Sequence, residues 1–107
     1  MKDIEKIYKI LDHFHKNPQI TQRDLVEDLD LSLGKVNFLI SSLVNKGLIK
    51  LERFKNSRNK RGYLYLLTPK GLKEKTIITK KFLQYQLEEY ERLKERIDYL
   101  KKSIETG

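Results

Sequence analysis

After Gly71 the chain runs from residue 72 to residue 106 without a proline or a glycine. A helix of roughly 35 residues is about 50 Å long at 1.5 Å rise per residue. No small domain covers such a length, so part of it faces solvent or another chain. Its apolar residues support the second choice. Leu83, Leu87, Tyr90, Leu93, Ile97, Leu100 and Ile104 follow one another at steps of four, three, three, four, three and four. Tyr90, Ile97 and Ile104 share one heptad position, and Leu93 and Leu100 share another, which makes an a/d seam of two to three heptads. Charged residues flank the seam, Glu88, Glu89, Arg92, Lys94 and Arg96 among them. The competing reading folds this helix back onto its own domain. A narrow seam on a short chain favours a homodimer, with antiparallel pairing or a different partner left open. Leu72, Ile77, Ile78, Phe82 and Leu83, nearer the start of the helix, are expected to pack partly on the preceding domain.

That domain reads as three helices and a hairpin. Residues 3–16 place Ile4, Ile7, Leu11 and Phe14 at helical spacing, with Tyr8 and Ile10 widening the stripe. Asn17-Pro18 ends the helix, and Gln19-Ile20 is read as a very short strand. Thr21, with Asp24 three positions later, has the pattern of a capping box and opens a second helix with Leu25, Val26 and Leu29 inward. Asp30-Leu31 interrupts the pattern. Ser32 caps a third helix over residues 32–46, whose buried stripe is Val36, Leu39, Ile40 and Leu43. Gly47 stops it in the left-handed conformation. Residues 48–54 and 63–67 read as paired strands around a turn at 56–62. Leu64 and Leu66 are expected to face the core, with Tyr63, Tyr65 and Leu67 on the other side. Thr68-Pro69 is a hydroxyl cap followed by proline at the first helical position.

Charge is concentrated in one place. The 107 residues carry 23 cations and 15 acids, for a net charge of +8. Residues 1–47 hold seven of each sign, and residues 72–107 hold nine cations against seven acids. Residues 48–71 hold Lys50, Arg53, Lys55, Arg58, Lys60, Arg61 and Lys70 against Glu52 alone, a local excess of +6. Such a patch attracts polyanions, nucleic acid foremost. A solubilising loop is the plainer explanation of the same residues.

Enzyme chemistry finds no support. His13 and His15 lie two apart on roughly opposite faces of the first helix and make no chelate. Asp24, Glu27, Asp28 and Asp30 read as helix solvation and capping, not as a metal site. No phosphate-binding glycine loop occurs. There is no cysteine, hence no disulfide and no thiolate nucleophile. No apolar run is long enough to cross a bilayer, and the first residues do not read as a signal peptide. The expectation is a non-enzyme of the cytoplasm with no cofactor, no metal and no membrane partner.

The order of elements is that of a helix-turn-helix with an added hairpin. The fold class expected is therefore mainly α with a small β-hairpin: a winged helix-turn-helix over residues 1–68, followed by a long C-terminal coiled-coil helix over 69–107. The core would hold the hairpin while its cationic tip, the wing at 55–62 with Arg58, Lys60 and Arg61, reaches phosphates or a minor groove of double-stranded DNA. The third helix would enter the major groove. Subtracting its buried stripe leaves Leu33, Gly34, Lys35, Asn37, Phe38, Ser41 and Ser42 outward, a face without acids. Asn37 suits an adenine edge, Lys35 a guanine or a phosphate, and Phe38 a thymine methyl. Ser32 suits a phosphate at the helix start.

The stretch "ITQRDLVEDLDLSLGKVNFLISSLVNKGLIK", followed by "NKRGYLYLLTPKG", resembles the MarR family of bacterial winged-helix regulators, and within it the small subgroup associated with exopolysaccharide gene clusters. The similarity covers about residues 4–72, and the long helix that follows is also similar to the subgroup. It implies a homodimeric transcription regulator that binds a pseudo-palindromic operator through the recognition helix and the wing. In the family the wing often carries an Asp-x-Arg triplet, and Arg61 matches the arginine that enters the minor groove. Asn59 stands where the acid is usual, so that arginine would be oriented without charge assistance. Typical members have an extra N-terminal helix and a ligand crevice; the small-molecule effector is not carried over from them. The seam residues Leu83, Tyr90, Leu93, Ile97, Leu100 and Ile104 would join the two copies, with half-sites about 34 Å apart.

Two other functions fit parts of the pattern. A protein–protein adaptor of the transcription machinery would use the coiled coil, but needs neither the cationic wing nor an acid-free recognition helix. RNA binding would use Tyr63 and Tyr65 as stacking platforms, although paired strand tyrosines more often pack.

Overall fold

The computed structural model describes residues 2–55 and 61–106. Its elements are α1 (Lys2–Lys16), α2 (Gln22–Leu29), α3 (Leu33–Asn45), β1 (Ile49–Lys55), β2 (Arg61–Leu67) and α4 (Pro69–Thr106). Three helices and the hairpin make a head, and α4 runs out of it, giving principal extents of 69 × 27 × 24 Å.

Local chemistry sets each boundary. Asn17 ends α1: its N–H donates to His13 O at 2.8 Å, and its side-chain oxygen accepts from the Gln19 N–H at 3.1 Å. Thr21 opens α2 with a full capping box. Its hydroxyl accepts from the Asp24 N–H, and the Asp24 carboxylate accepts from the Thr21 N–H, both at 3.1 Å. The bond from the Thr21 N–H, with the Thr21 side chain adding to it, holds the Asp24 carboxyl below its ordinary pKa. Asp30 closes α2 at φ 53°, a left-handed conformation that aspartate tolerates better than most side chains. Ser32 caps α3 by accepting from the Lys35 N–H at 3.1 Å. At the other end Gly47, at φ 75°, completes a Schellman motif. The Leu48 N–H donates to Leu43 O at 3.0 Å, and the Gly47 N–H to Val44 O at 2.9 Å.

The core lies where α1, α2, α3 and the hairpin meet. Ile10, Leu11, Phe14, Leu25 and Val36 are completely enclosed, and Ile20, Leu39, Ile40, Leu43, Leu48, Ile49 and Tyr65 join them. Each such side chain contributes about 1.5–3 kcal/mol relative to exposure. Among the described residues no polar or charged side chain is buried.

The strands pair antiparallel, from Ile49 opposite Leu67 to Lys55 opposite Arg61. The inward face of β2 is the reverse of the expected one. Tyr65 is buried and Leu67 packs against the core, while Leu64 and Leu66 lie half-buried opposite Glu52 and Lys50. The reason is aromatic packing. The Tyr65 ring stacks on Phe14, with centroids 4.6 Å apart and an interplanar angle of 11°. Its hydroxyl stays at the rim of the core, where Gln22 Nε2 donates to it at 3.4 Å. Lys50 and Glu52, paired at 2.9 Å on the outer face, leave that parity of the hairpin toward water. Gln19-Ile20 forms no strand. The segment meets the sheet through one bond, from the Tyr65 N–H to Pro18 O at 2.9 Å, and Ile20 enters the core.

Beyond the first turn of α4, where Lys70 donates to Lys46 O, the head is met by the face that carries Gly71, Lys75, Ile78 and Phe82. Ile78 packs on the core, and Phe82 stacks on Tyr8 at 5.0 Å. Lys75 donates to His15 Nδ1 at 3.1 Å and pairs with Asp12 at 3.2 Å. Partial burial would raise the Asp12 carboxyl, but hydrogen bonds from Lys16 and Lys75 outweigh it and hold the pKa below the ordinary value. Leu72, Ile77 and Leu83, expected to pack partly on the head, are 43%, 42% and 56% exposed. The spacing 71, 75, 78, 82 selects one face of the helix, and these three lie off it.

Candidate nucleic-acid interface

The buried stripe of α3 is Val36, Leu39, Ile40 and Leu43, each under a tenth exposed. Helical geometry then puts Gly34, Asn37, Phe38, Ser41 and Asn45 on the opposite side, since positions three and four apart share a face. All five are exposed, and Lys35 and Ser42 flank them half-buried. The structure thus brings together the predicted positions Lys35, Asn37, Phe38, Ser41 and Ser42 on one uncovered strip, with Ser32 at its N-terminal end.

Phe38 is the strip's unusual member. A phenyl ring that is 65% exposed gains little from folding. Lys35 Nζ lies 5.6 Å from its centroid, within cation–π range, so the ammonium sits over the ring and projects from the same patch. Beyond Phe38 a shallow hollow is lined by Phe38, Ser41, Ser42, Asn45 and Lys46. No acid occurs on α3, so nothing on the helix itself repels a polyanion.

The hairpin supplies the second part. Arg58 and Lys60 lie outside the described residues. The backbone of Arg61 opens β2 opposite Lys55. On the hairpin stem Arg53 sits over the ring of its cross-strand partner Tyr63, 5.8 Å from the centroid. This pair was missed by sequence reasoning, which grouped Tyr63 with Tyr65 and counted Arg53 only in the cationic excess. The register that joins the two residues was its only signal.

The predicted seam is open along its length. Leu83, Tyr90, Leu93, Ile97, Leu100 and Ile104 are between 43% and 81% exposed, with Leu87 at 51% and Tyr99 at 71%. The head does not cover them, so the fold-back reading of α4 does not hold for this stretch. Glu89 and Arg92 pair beside the seam one turn apart. Among the described residues no group of three or more metal-ligating side chains occurs, and no helix is long and apolar enough to cross a membrane.

Comparison with known proteins places this geometry. The family model of winged helix-turn-helix DNA-binding domains matches residues 5–50. No curated protein sequence matches significantly. Among solved structures, a mutant of S. aureus MepR superposes with a TM-score of 0.60 at 23% identity, over 92% of this chain and 78% of that one. Wild-type MarR from E. coli in its apo form gives 0.55 at 30% identity, over 69% of this chain and 53% of that one. Another S. aureus MepR mutant, bound to an oligodeoxyribonucleotide, gives 0.57 at 23% identity, again over 92% and 78%. The head thus has the winged helix-turn-helix fold, and with the long helix after it the chain shares the fold of these MarR-type structures.

Proposed function

We propose that the chain is a MarR-type transcription regulator that binds double-stranded DNA as a homodimer. The observation that carries this reading is the strip on α3: an exposed, acid-free face with Lys35 stacked on Phe38, on a head whose hairpin is rich in cations. In this reading α3 lies in the major groove, and Asn37, Phe38, Ser41 and Ser42 meet base edges. Ser32 and Lys35 meet phosphate, and the wing with Arg58, Lys60 and Arg61 reaches the neighbouring minor groove or backbone. The uncovered apolar row on α4 is taken up by a second copy. Two heads related by a twofold axis then face a pseudo-palindromic operator. The exopolysaccharide resemblance nominates the class of genes controlled.

The test is duplex binding across a salt series, using DNA from the chain's own promoter region. Binding that weakens steeply with salt is expected, and Arg61→Ala should reduce the slope of log K against log salt by about one unit. Binding that is absent at low salt, or indifferent to salt, would sink the DNA reading and favour an adaptor that uses α4 alone.

A further inference from the structure

The recognition helix and the long helix meet at one place, and the contact there is largely backbone. The last carbonyls of any helix lack partners within it. Here the carbonyls that follow the last turn of α3 are taken up by the first turn of α4. Lys70 Nζ donates to Lys46 O at 3.0 Å. The Thr68 hydroxyl donates to Gly47 O at 2.6 Å, with Leu48 O 3.3 Å away, and the Thr68 N–H donates to Leu48 O at 3.1 Å. The same hydroxyl oxygen accepts from the Gly71 N–H at 3.0 Å, so one side chain caps α4 and grips the end of α3. Gly71 closes the joint: a Cβ there would lie 2.0 Å from Leu48 O and 3.0 Å from Leu48 C. Only glycine allows the two backbones this approach.

We propose that Thr68, Lys70 and Gly71 form a rigid coupling that fixes the direction of α3 relative to the seam on α4. They thereby set the half-site spacing that the dimer accepts. The proposal rests on the dimeric DNA-binding reading above. Geometry makes the coupling consequential. Leu93, in the middle of the seam, is 22 residues beyond Gly71, about 33 Å along a helix. A tilt of about 10° at the joint displaces it by about 6 Å, while one base pair rises about 3.4 Å. A small loosening therefore spans nearly two base pairs. The packing of Ile78 on the core, the Tyr8–Phe82 stack and the Asp12–Lys75 pair keep α4 on the head when the joint is weakened. Thr68, Lys70 and Gly71 act in this proposal as positioning residues.

The experiment compares the full chain with Thr68→Val, Thr68→Ser and Gly71→Ala. Valine keeps the shape of threonine without the hydroxyl; serine keeps the hydroxyl. Circular dichroism and light scattering first establish that each variant is folded and dimeric, and Thr68→Val supplies the answer if Gly71→Ala does not fold. One readout needs no DNA. The chain has no cysteine, so Glu27→Cys on the exposed side of α2 gives a single spin label per copy. Head-to-head distances in the dimer should form a narrow distribution for the parent and for Thr68→Ser, and a broader one for Thr68→Val and Gly71→Ala. Equal widths overturn the coupling. The second readout is affinity for duplexes carrying two wild-type-selected half-sites, with the spacing stepped by one base pair. A misplacement of two base pairs should cost the parent about tenfold and Thr68→Val about twofold, with single half-site affinity unchanged. A penalty for misplaced half-sites as steep in Thr68→Val as in the parent overturns the proposal. Failure of the parent itself to bind any duplex overturns the DNA reading and the spacing role with it, whereas the distance distributions judge the joint separately.

Discussion

Replacing Tyr65 and Leu64 in turn by alanine tests which face of β2 holds the wing to the head. The two residues are neighbours on one strand, and simple apolarity would favour Leu64 as the core member. In the structure Tyr65 is 7% exposed and stacked on Phe14, whereas Leu64 is half-buried across from Glu52. Removing an enclosed aromatic side chain costs about 3–5 kcal/mol, of which about 0.5–1.5 kcal/mol reflects the ring–ring geometry. Truncating a half-covered leucine on the outer face removes about half of its transfer energy, about 1 kcal/mol. Tyr65→Phe keeps the stack and loses only a long hydrogen bond from Gln22, worth less than about 1 kcal/mol. With a urea m-value of about 1.5 kcal/mol/M, the midpoint should fall by about 2–3 M for Tyr65→Ala and by less than about 1 M for Leu64→Ala. In the proposed dimer stability depends on association, so all variants are unfolded at one protein concentration. A Leu64→Ala midpoint as low as that of Tyr65→Ala would refute the assigned facing of the hairpin.

Three further outcomes are expected. Leu93→Asp places a carboxylate in the middle of the apolar row. Light scattering should then report a single chain at concentrations where the parent is paired, a weakening of at least about a hundredfold. Asp12→Asn keeps an oxygen that can accept from Lys75 but removes the charge that pairs α1 with α4, and should cost about 1 kcal/mol near neutral pH. The Asp12 pKa is lowered by folding, so its contribution is present above the ordinary carboxylate value and fades as pH falls through the folded value. The gap between the parent and Asp12→Asn urea midpoints should therefore be full at about pH 6 and shrink toward about pH 3; a gap that grows on acidification contradicts the pairing. Asn37→Ala should relax base preference at one operator position by about 1–3 kcal/mol without changing the salt slope, as read by selection from randomised duplexes.

Much of this architecture was legible because its boundaries are set by short-range chemistry. Thr21 with Asp24, Ser32, Gly47 and Thr68-Pro69 each carry a cap whose partners lie within a few residues, and each appears where the pattern placed it. The outward strip of α3 followed by subtraction from a stripe of period 3.6. The hairpin face was misread because Tyr and Leu alternate and both are apolar, so the strand alone does not reveal its inner side. The answer lay on the partner strand, where Lys50 and Glu52 turn one parity toward water once the register is known. The head-facing side of α4 was read only in part: Ile78 and Phe82 pack as expected, but Gly71 and Lys75, which complete that face, have no hydrophobic signature, and Leu72, Ile77 and Leu83 lie off it. The Arg53–Tyr63 pair and the Thr68–Gly47 grip depend on residues 10 and 21 positions apart, beyond the reach of any local pattern.

The division of labour on α3 has an evolutionary consequence. Val36, Leu39, Ile40 and Leu43 keep the helix in place from one side, and no polar side chain is enclosed with them among the described residues. Under the proposed DNA reading, substitutions at Asn37, Phe38, Ser41 or Ser42 would change what α3 recognises while leaving its foundations alone, at a stability cost usually within about 0.5 kcal/mol. On that reading, descendants of this chain are free to drift toward new targets one side chain at a time, each step remaining folded and open to selection.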